Sequence, residues 1–124
     1  MSVYLTKATI VAIHRRQLEL YGGASGLRDE GLLDAAIYRP QTGYYQDALE
    51  EAAALWESLS QNHPFVDGNK RVAFSATLAF LGINGLRITA EADAIYFFLI
   101  GHYEAGTFGF QDLLDWLRAN TEPL

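Results

Sequence analysis

Apolar residues recur every three or four positions along most of the chain, which is the spacing of amphipathic helices. Thr6 can cap a first helix that runs to about Tyr21, where the glycine pair 22–23 ends it. A second, shorter apolar stripe covers about Asp29 to Ile37. The first third of the chain is therefore predicted to contain two helices.

A third helix is predicted by the polar residues that precede the next apolar stripe. Asp47, followed three residues later by Glu50, has the spacing of a capping box, and the stripe behind it reaches Leu59 or Ser60. A polar, glycine-bearing loop then covers His63 to Gly68. This loop separates the third helix from the fourth.

The fourth predicted helix runs from that loop to about Asn84, where Gly85 is a typical C-terminal stop. Its stretch from Val72 to Leu81 is apolar on nearly every face. Because a helix that is apolar all round is normally buried all round, we expect this helix to be the centre of the bundle.

The last third of the chain predicts two more helices. Thr89 can cap a fifth helix through Ala94–Tyr103, and a sixth runs from Gln111 to Ala119. No segment shows the sustained alternation of a strand; a short strand or hairpin arm could form at Tyr44-Tyr45 or at Leu86–Ile88. The predicted fold is an all-α helical bundle around a central buried helix, with at most a short hairpin flap.

Composition supports one domain over residues 1–124. Half of the 124 residues are hydrophobic, which is enough for a sizeable core. There is no cysteine, so disulfides and thiolate metal sites are excluded. A net charge of −6 without a local basic patch argues against direct nucleic acid binding.

Two apolar runs, Val72 to Leu81 and Ala94 to Ile100, are too short for a bilayer, which takes about 20 residues. We expect both to be buried core helices instead. The N-terminal residues Met1 to Leu5 have neither a basic start nor a long apolar stretch, so a signal peptide is not predicted. The expected location is the cytoplasm, with no membrane contact.

The beginning of the fourth helix is unusual in charge. Helix N-termini carry partial positive charge and favour acidic residues, yet Lys70 and Arg71 occupy the first turn here. This arrangement is favourable if an anion docks there, because first-turn N–H groups bind phosphate well. Gly68 lets the backbone approach such an anion, and Asn69 adds a side-chain donor.

Two further groups complete a candidate site. His63 carries an imidazole, the type of side chain that commonly acts as a general base, and could take a proton from an attacking hydroxyl. Asp67 supplies a hard oxygen that suits a magnesium ion bound to nucleotide phosphates. Phe65, between them, is expected to plug into the core and fix the loop. These residues suit phosphoryl or nucleotidyl transfer, although Asp67-Gly68-Asn69 could equally be an ordinary turn before a helix with solvated cations.

The stretch His63-Pro64-Phe65-Val66-Asp67-Gly68-Asn69-Lys70-Arg71 resembles the signature of Fic-fold proteins. That signature has a histidine, a phenylalanine two positions on, an acidic residue, a small residue, asparagine and arginine. Its eighth position is usually glycine in members that transfer AMP, whereas Lys70 is the form found in the death-on-curing (Doc) toxin branch. The short length, the segment Gly26–Leu33 with its following alanines, and Arg39-Pro40-Gln41 are similar to that branch too.

The resemblance implies a role for each motif residue. The catalytic base would be His63, the magnesium ligand Asp67, the anion nest Gly68, Asn69 and Lys70, and the phosphate-binding residue Arg71. ATP and Mg²⁺ are the implied cofactors. The Doc branch is understood to bind ATP in reverse and to pass its terminal phosphate to a threonine of elongation factor Tu, which stops translation. AMP transfer and a catalytically silent binding module are the alternatives.

Many Fic proteins are restrained by a helix with a Ser/Thr-x-x-x-Glu-Gly/Asn motif, and no such motif occurs here. Ser25 comes nearest, but the residue four positions on is Asp29. The resemblance therefore implies inhibition by a separate antitoxin within a type II toxin–antitoxin system. That partner would be similar to the Phd antitoxin, whose C-terminal segment folds as a helix in a groove of the toxin.

The remaining candidates are given structural roles. His14 is assigned to a solvated face of the first helix because Arg15 and Arg16 follow it. His102 is read as a helix-end residue. For the pair Tyr44-Tyr45, a flap that aligns the target segment and simple packing are equally good interpretations.

Overall fold

The computed structural model describes residues 2–124 and contains six α-helices. They are α1 (Lys7–Tyr21), α2 (Glu30–Tyr38), α3 (Ala48–Asn62), α4 (Asn69–Ile83), α5 (Ala92–Ala105) and α6 (Phe110–Ala119), with a 3₁₀ turn at Arg39–Gln41 and two strands, β1 (Leu86–Ile88) and β2 (Thr121–Pro123). The predicted all-α class is confirmed.

Local capping explains where the first and third helices begin. The side chain of Thr6 accepts the backbone N–H of Thr9 at 3.2 Å, and that of Asp47 accepts the N–H of Glu50 at 2.9 Å. Both caps were predicted from the sequence. The carboxylate of Glu50 accepts the N–H of Gln46 rather than that of Asp47, so the capping box is only half formed.

The central helix of the bundle is α3, and the prediction that assigned this place to α4 is wrong. All but one of the ten residues from 51 to 60 are buried, the exception being the half-buried Glu57. Small residues at 52–54 let α2, α4 and α6 pack closely around α3. By contrast, Leu78 on α4 is 40% exposed.

Two short strands close the chain. β1 pairs with β2 in an antiparallel ribbon, with Leu86 opposite Pro123 and Ile88 opposite Thr121. The strand at 86–88 was one of the two sites predicted, but its partner comes from the C-terminal end of the sequence. Tyr44 and Tyr45 lie in irregular structure, so no strand forms there.

Helix α5 differs most from its prediction. Its N-cap residue is Glu91, not the predicted Thr89. The N–H of Thr89 instead donates to the carbonyl of Asn120 at 2.7 Å and continues the ribbon. No residue of α5 is buried; Tyr96 is 61% and Phe97 72% exposed. The apolar run at 94–100 is therefore a surface helix, not the buried core helix that was expected.

None of the helices in residues 2–124 combines the length and the apolar character that crossing a bilayer requires.

Candidate active site

The loop between α3 and α4 forms the floor of an open cavity of about 510 Å³. Its lining consists of Tyr21, Gly22, Gly23, His63, Val66, Asp67, Gly68, Asn69, Lys70 and Arg71. All six predicted site residues are among them. The structure thus brings together in one cavity a histidine from the end of α3, a carboxylate from the loop and the cationic start of α4.

His63 lies at the C-terminal end of α3 in the left-handed conformation, with φ 49° and ψ 55°. Within residues 2–124 no other non-glycine residue has a positive φ. Arg28 stabilises this helix end, because its Nε donates to the carbonyl of His63 at 2.6 Å and its Nη2 to that of Asn62 at 2.8 Å. The backbone is therefore fixed while the imidazole is exposed in the cavity.

The loop is also fastened to the segment that follows α1. Leu27 and Phe65 form an antiparallel bridge, and the N–H of Val66 donates to the carbonyl of Gly26 at 3.0 Å. Phe65 is only 2% exposed, as expected for a side chain that plugs into the core. The segment after α1 consequently acts as a second wall of the site.

Asn69 holds the loop through its side chain. Its Oδ1 accepts the N–H of Phe65 at 2.9 Å, and its Nδ2 donates to the carbonyl of the same residue at 3.0 Å. Both polar atoms of the Asn69 side-chain amide thus form hydrogen bonds with the backbone of Phe65. We now expect Asn69 to contribute to an anion site through its backbone N–H rather than through the side-chain donor predicted from the sequence.

Asp67 carries an exposed carboxylate that accepts two backbone N–H groups, from Ala24 at 3.1 Å and from Gly68 at 2.8 Å. These two hydrogen bonds, followed by the nearby charge of Arg71, hold the pKa of Asp67 below its usual range. The carboxylate is therefore ionised at neutral pH and keeps lone pairs for a cation.

A magnesium ion fits this donor set when it arrives with a nucleotide. Within residues 2–124 no group of three or more His, Cys, Asp or Glu side chains could hold a metal alone. Mg²⁺ commonly binds through one or two carboxylates together with substrate phosphates and water. Asp67 is the residue that would hold it here.

The start of α4 is rich in donors and free of acidic side chains. Gly68 precedes the helix in the left-handed conformation, with φ 76° and no side-chain cap. The Nζ of Lys70 lies 4.3 Å from the ring centroid of Tyr103, and the Cζ of Arg71 lies 5.2 Å from that of Tyr21. In the described part of the chain neither cation forms an ion pair with a carboxylate. Both are thus available to an anion, each resting on an aromatic ring.

His14 is the residue that the sequence analysis assigned wrongly. Its side chain is 5% exposed, not solvated, and its ring stacks on Phe65 with 3.8 Å between centroids and 10° between planes. Its Nε2 lies 2.7 Å from the carbonyl oxygen of Asp67. The signal that could have found it is its place four residues after Ile10 and four before Leu18, on the inward stripe of α1.

The two tyrosines at 44–45 have different environments. The Nε of Arg39 donates to the hydroxyl of Tyr45 at 2.8 Å, while its Nη1 pairs with Glu57 at 2.7 Å. Tyr45 is therefore packed, whereas Tyr44 is 78% exposed. Neither residue lines the cavity. The flap role of this segment stays a prediction.

Comparison with known proteins gives two related findings. The model of the Fic/DOC family matches residues 4–81. The chain is 51% identical over 78 residues to "Toxin Doc" of Mycolicibacterium smegmatis, covering 59% of this chain and 60% of that protein. It is 32% identical over 89 residues to "Protein kinase doc" of Escherichia phage P1, covering 68% of this chain and 71% of that protein.

The family match includes α1 to α4 up to Leu81 and therefore every residue that lines the cavity. It extends over more than half of the chain, and the motif His63–Arg71 lies inside it. The chain therefore belongs to the Fic/DOC family and to its branch of Doc toxins.

Proposed function

We propose that this protein is a Doc-type toxin of a type II toxin–antitoxin system that transfers the terminal phosphate of ATP to a protein hydroxyl. The observation that carries the proposal is the convergence of His63, Asp67 and the cationic start of α4 on one cavity. The target expected from the family resemblance is a threonine of elongation factor Tu. Its modification would inhibit translation.

Each side chain has a distinct task in this reaction. The exposed imidazole of His63 takes the proton of the attacking hydroxyl. First-turn N–H groups of α4, with Lys70 and Arg71, bind the phosphates and stabilise charge that develops on them. Asp67 is the residue that would hold Mg²⁺, and the ion, when bound, would neutralise charge on the nucleotide phosphates.

Lys70 supports phosphate transfer over AMP transfer. Members of the family that transfer AMP usually have glycine at this position, so nucleotide phosphates can run close to the backbone there. In this chain a long cationic side chain leaves that point and lies against Tyr103. In the proposed reaction, the charge of Lys70 holds the transferring group and its bulk disfavours the nucleotide direction used for AMP transfer. AMP transfer is the second candidate, and an intact site argues against a silent binding module.

Intact-mass spectrometry of purified elongation factor Tu, after incubation with the protein, ATP and Mg²⁺, tests the proposal. Phosphoryl transfer adds about 80 Da and AMP transfer about 329 Da, the masses of the groups transferred. A reaction with His63→Ala is the control for contaminating kinases. An increase of about 80 Da that needs His63 supports the proposal, and an AMP adduct contradicts it.

A separate antitoxin is the partner that we propose for the apolar groove beside the cavity. The groove has a volume of about 410 Å³ and lies between α1, α4 and α5. Its apolar lining consists of Tyr21, Phe74, Leu78, Leu99 and Tyr103. Lys70 and Arg71 border both the groove and the cavity, so an amphipathic helix seated there, with acidic residues near these cations, would also restrict the phosphate site.

A further inference from the structure

His14 contacts two residues of the active-site loop from the core side of the loop. Its ring is stacked on Phe65, and its Nε2 is 2.7 Å from the carbonyl oxygen of Asp67. A carbonyl oxygen can only accept, so Nε2 must carry the hydrogen of this bond. Because the side chain is 5% exposed and faces the loop, it is not placed to touch a substrate.

The bond from His14 acts on one particular peptide unit. The carbonyl of Asp67 and the N–H of Gly68 belong to the same planar peptide and point in opposite directions. Fixing the carbonyl therefore fixes the N–H. That N–H donates to Oδ1 of Asp67 at 2.8 Å, so the peptide in turn orients the carboxylate.

Without the donor on His14, the carbonyl of Asp67 would lose the hydrogen bond from His14 that resists rotation of the peptide between Asp67 and Gly68. Gly68 has no side chain to resist rotation and adopts φ 76°, where glycine meets no steric penalty. His14 packs directly against this point: a Cβ placed on Gly68 would be in ordinary van der Waals contact with Nε2 of His14, at 3.5 Å. The histidine is thus the nearest side chain that can hold the peptide from the core side.

We propose that His14 is a positioning residue for the magnesium–nucleotide site, acting through the peptide between Asp67 and Gly68 on the direction of the Asp67 carboxylate. The inference rests on the proposed function of that site. Hydrogen-bond partners just outside the ligands of a metal typically change its affinity by about 10–100-fold when they are removed. Loss of the hydrogen bond from His14 should therefore weaken metal-dependent nucleotide binding.

Two substitutions separate the two contacts of His14. The variant His14→Phe keeps an aromatic ring for the stack on Phe65 and removes the donor. The variant His14→Gln keeps an N–H donor at a similar reach and removes the ring. Calorimetric titration of the full chain with ATP, at several Mg²⁺ concentrations and without target protein, compares both with wild type. Thermal unfolding of all three reports the stability.

Magnesium-dependent ATP binding is expected to weaken about tenfold in His14→Phe and to stay near wild type in His14→Gln. Unchanged binding in His14→Phe, or equal losses in both variants that follow their melting temperatures, would overturn the inference. If a variant does not fold, the hydrogen bond can be checked directly in wild type, because ¹⁵N spectra report which ring nitrogen of His14 is protonated. A neutral His14 protonated at Nδ1 alone would contradict the bond.

The outcomes also separate this inference from the proposed function. Wild type that binds no ATP with Mg²⁺ contradicts the proposed function and this inference with it. If wild type binds ATP with Mg²⁺ and His14→Phe binds it equally well, only the role of His14 is contradicted.

Discussion

Among single residues, His63 combines an unfavourable backbone conformation with a side chain that lines the cavity. A non-glycine residue in the left-handed region costs of order 1 kcal/mol or more, yet this conformation ends α3 and directs the imidazole into the cavity. Arg28 offsets part of that cost by donating to the carbonyls of Asn62 and His63. The backbone strain therefore lies beside the reacting group, with its compensation outside the cavity lining.

We predict that His63→Ala abolishes transfer and toxicity without unfolding the protein. The side chain is exposed and the backbone bonds from Arg28 do not depend on it, so stability should change little. Loss of a general base typically lowers the rate about 10²–10⁴-fold. Growth arrest and target modification measure the effect, with His102→Ala, a histidine outside the cavity, as control. Full growth arrest by well-expressed His63→Ala would contradict the assignment.

A second prediction concerns Asp67→Asn, which should weaken the dependence on Mg²⁺ more than the stability. An amide oxygen can still accept one of the two N–H groups that the carboxylate accepts, but it carries no charge for the cation. The measurement is activity against Mg²⁺ concentration beside thermal unfolding. A collapsed melting temperature with an unchanged response to metal would indicate a structural cap instead.

The same variant has a pH signature. The pKa of Asp67 is lowered in the folded protein, so its contribution to stability is present above the pKa of the unfolded chain and is lost as pH falls through the folded value. The difference in unfolding free energy between wild type and Asp67→Asn should therefore shrink below about pH 4. Denaturant unfolding at pH 7 and pH 3 measures it; a difference that grows in acid would contradict the hydrogen bonds to the carboxylate.

Lys70 decides between the two transferred groups, and we predict that Lys70→Gly loses phosphate transfer and gains some AMP transfer. A charge-assisted contact worth about 1.5–3 kcal/mol is lost, and glycine costs the helix start about 1 kcal/mol. The first effect should dominate activity and the second should appear in melting. Lys70→Ala is the matched control, because it removes the charge without restoring glycine.

The readout for Lys70 is the intact mass of the target, with wild type and both variants side by side. Only Lys70→Gly is expected to attach AMP, while both variants lose phosphate transfer. If wild type attaches AMP, or if Lys70→Gly phosphorylates as fast as wild type, the Doc-type interpretation of this position is wrong.

Among the elements, α5 is an apolar helix whose residues are all at least partly exposed. Its attachment to the bundle is aromatic: Tyr103 stacks on Phe108 at 4.4 Å and lies 3.0 Å from the hydroxyl of Ser60, while Phe98 stacks on Trp116 at 4.9 Å. Tyr96 and Phe97 on the same helix remain largely exposed to solvent. A helix of this composition is typical of a surface that a partner covers.

The groove beside α5 gives a prediction for the antitoxin. Leu78→Asp should weaken binding of the cognate antitoxin about tenfold or more, because an apolar contact worth about 1.5–3 kcal/mol is replaced by a charge. Leu78 is already 40% exposed, so the toxin should stay folded. Ile83→Asp is the control, since Ile83 is 48% exposed on the same helix and does not line the groove. Equal binding by both variants would place the antitoxin elsewhere.

Across the whole molecule, the site is assembled from two separate stretches of chain, 21–23 and 63–71. α1 and the segment behind it form one wall, the end of α3 supplies the imidazole, and the start of α4 supplies the cations. The residues beyond the family match complete the scaffold: α6 buries Leu113 and Leu117 in the common core, and the N–H of Leu124 donates to the carbonyl of Gly85 at 2.9 Å. The C-terminal third thus holds α3 and α4 in place behind the site.

The sequence by itself determined most helix bounds and which side chains the motif brings together, because both depend on neighbours within a few positions. A cap such as Asp47 acts on an N–H three residues away, and nine consecutive residues carry the base, the carboxylate and the cations. Periodicity likewise depends only on the 3.6-residue turn.

Only the tertiary structure decided which helix is central, which strand pairs with 86–88 and where His14 lies. These depend on contacts between residues that are far apart in sequence, such as the 53 positions between His14 and Asp67. A run of apolar residues is compatible with a helix that is buried and with one that is exposed. The apolar runs of α4 and α5 therefore could not predict that both helices are more exposed than α3. Burial follows from how much surface the neighbours cover, and local sequence does not encode that coverage.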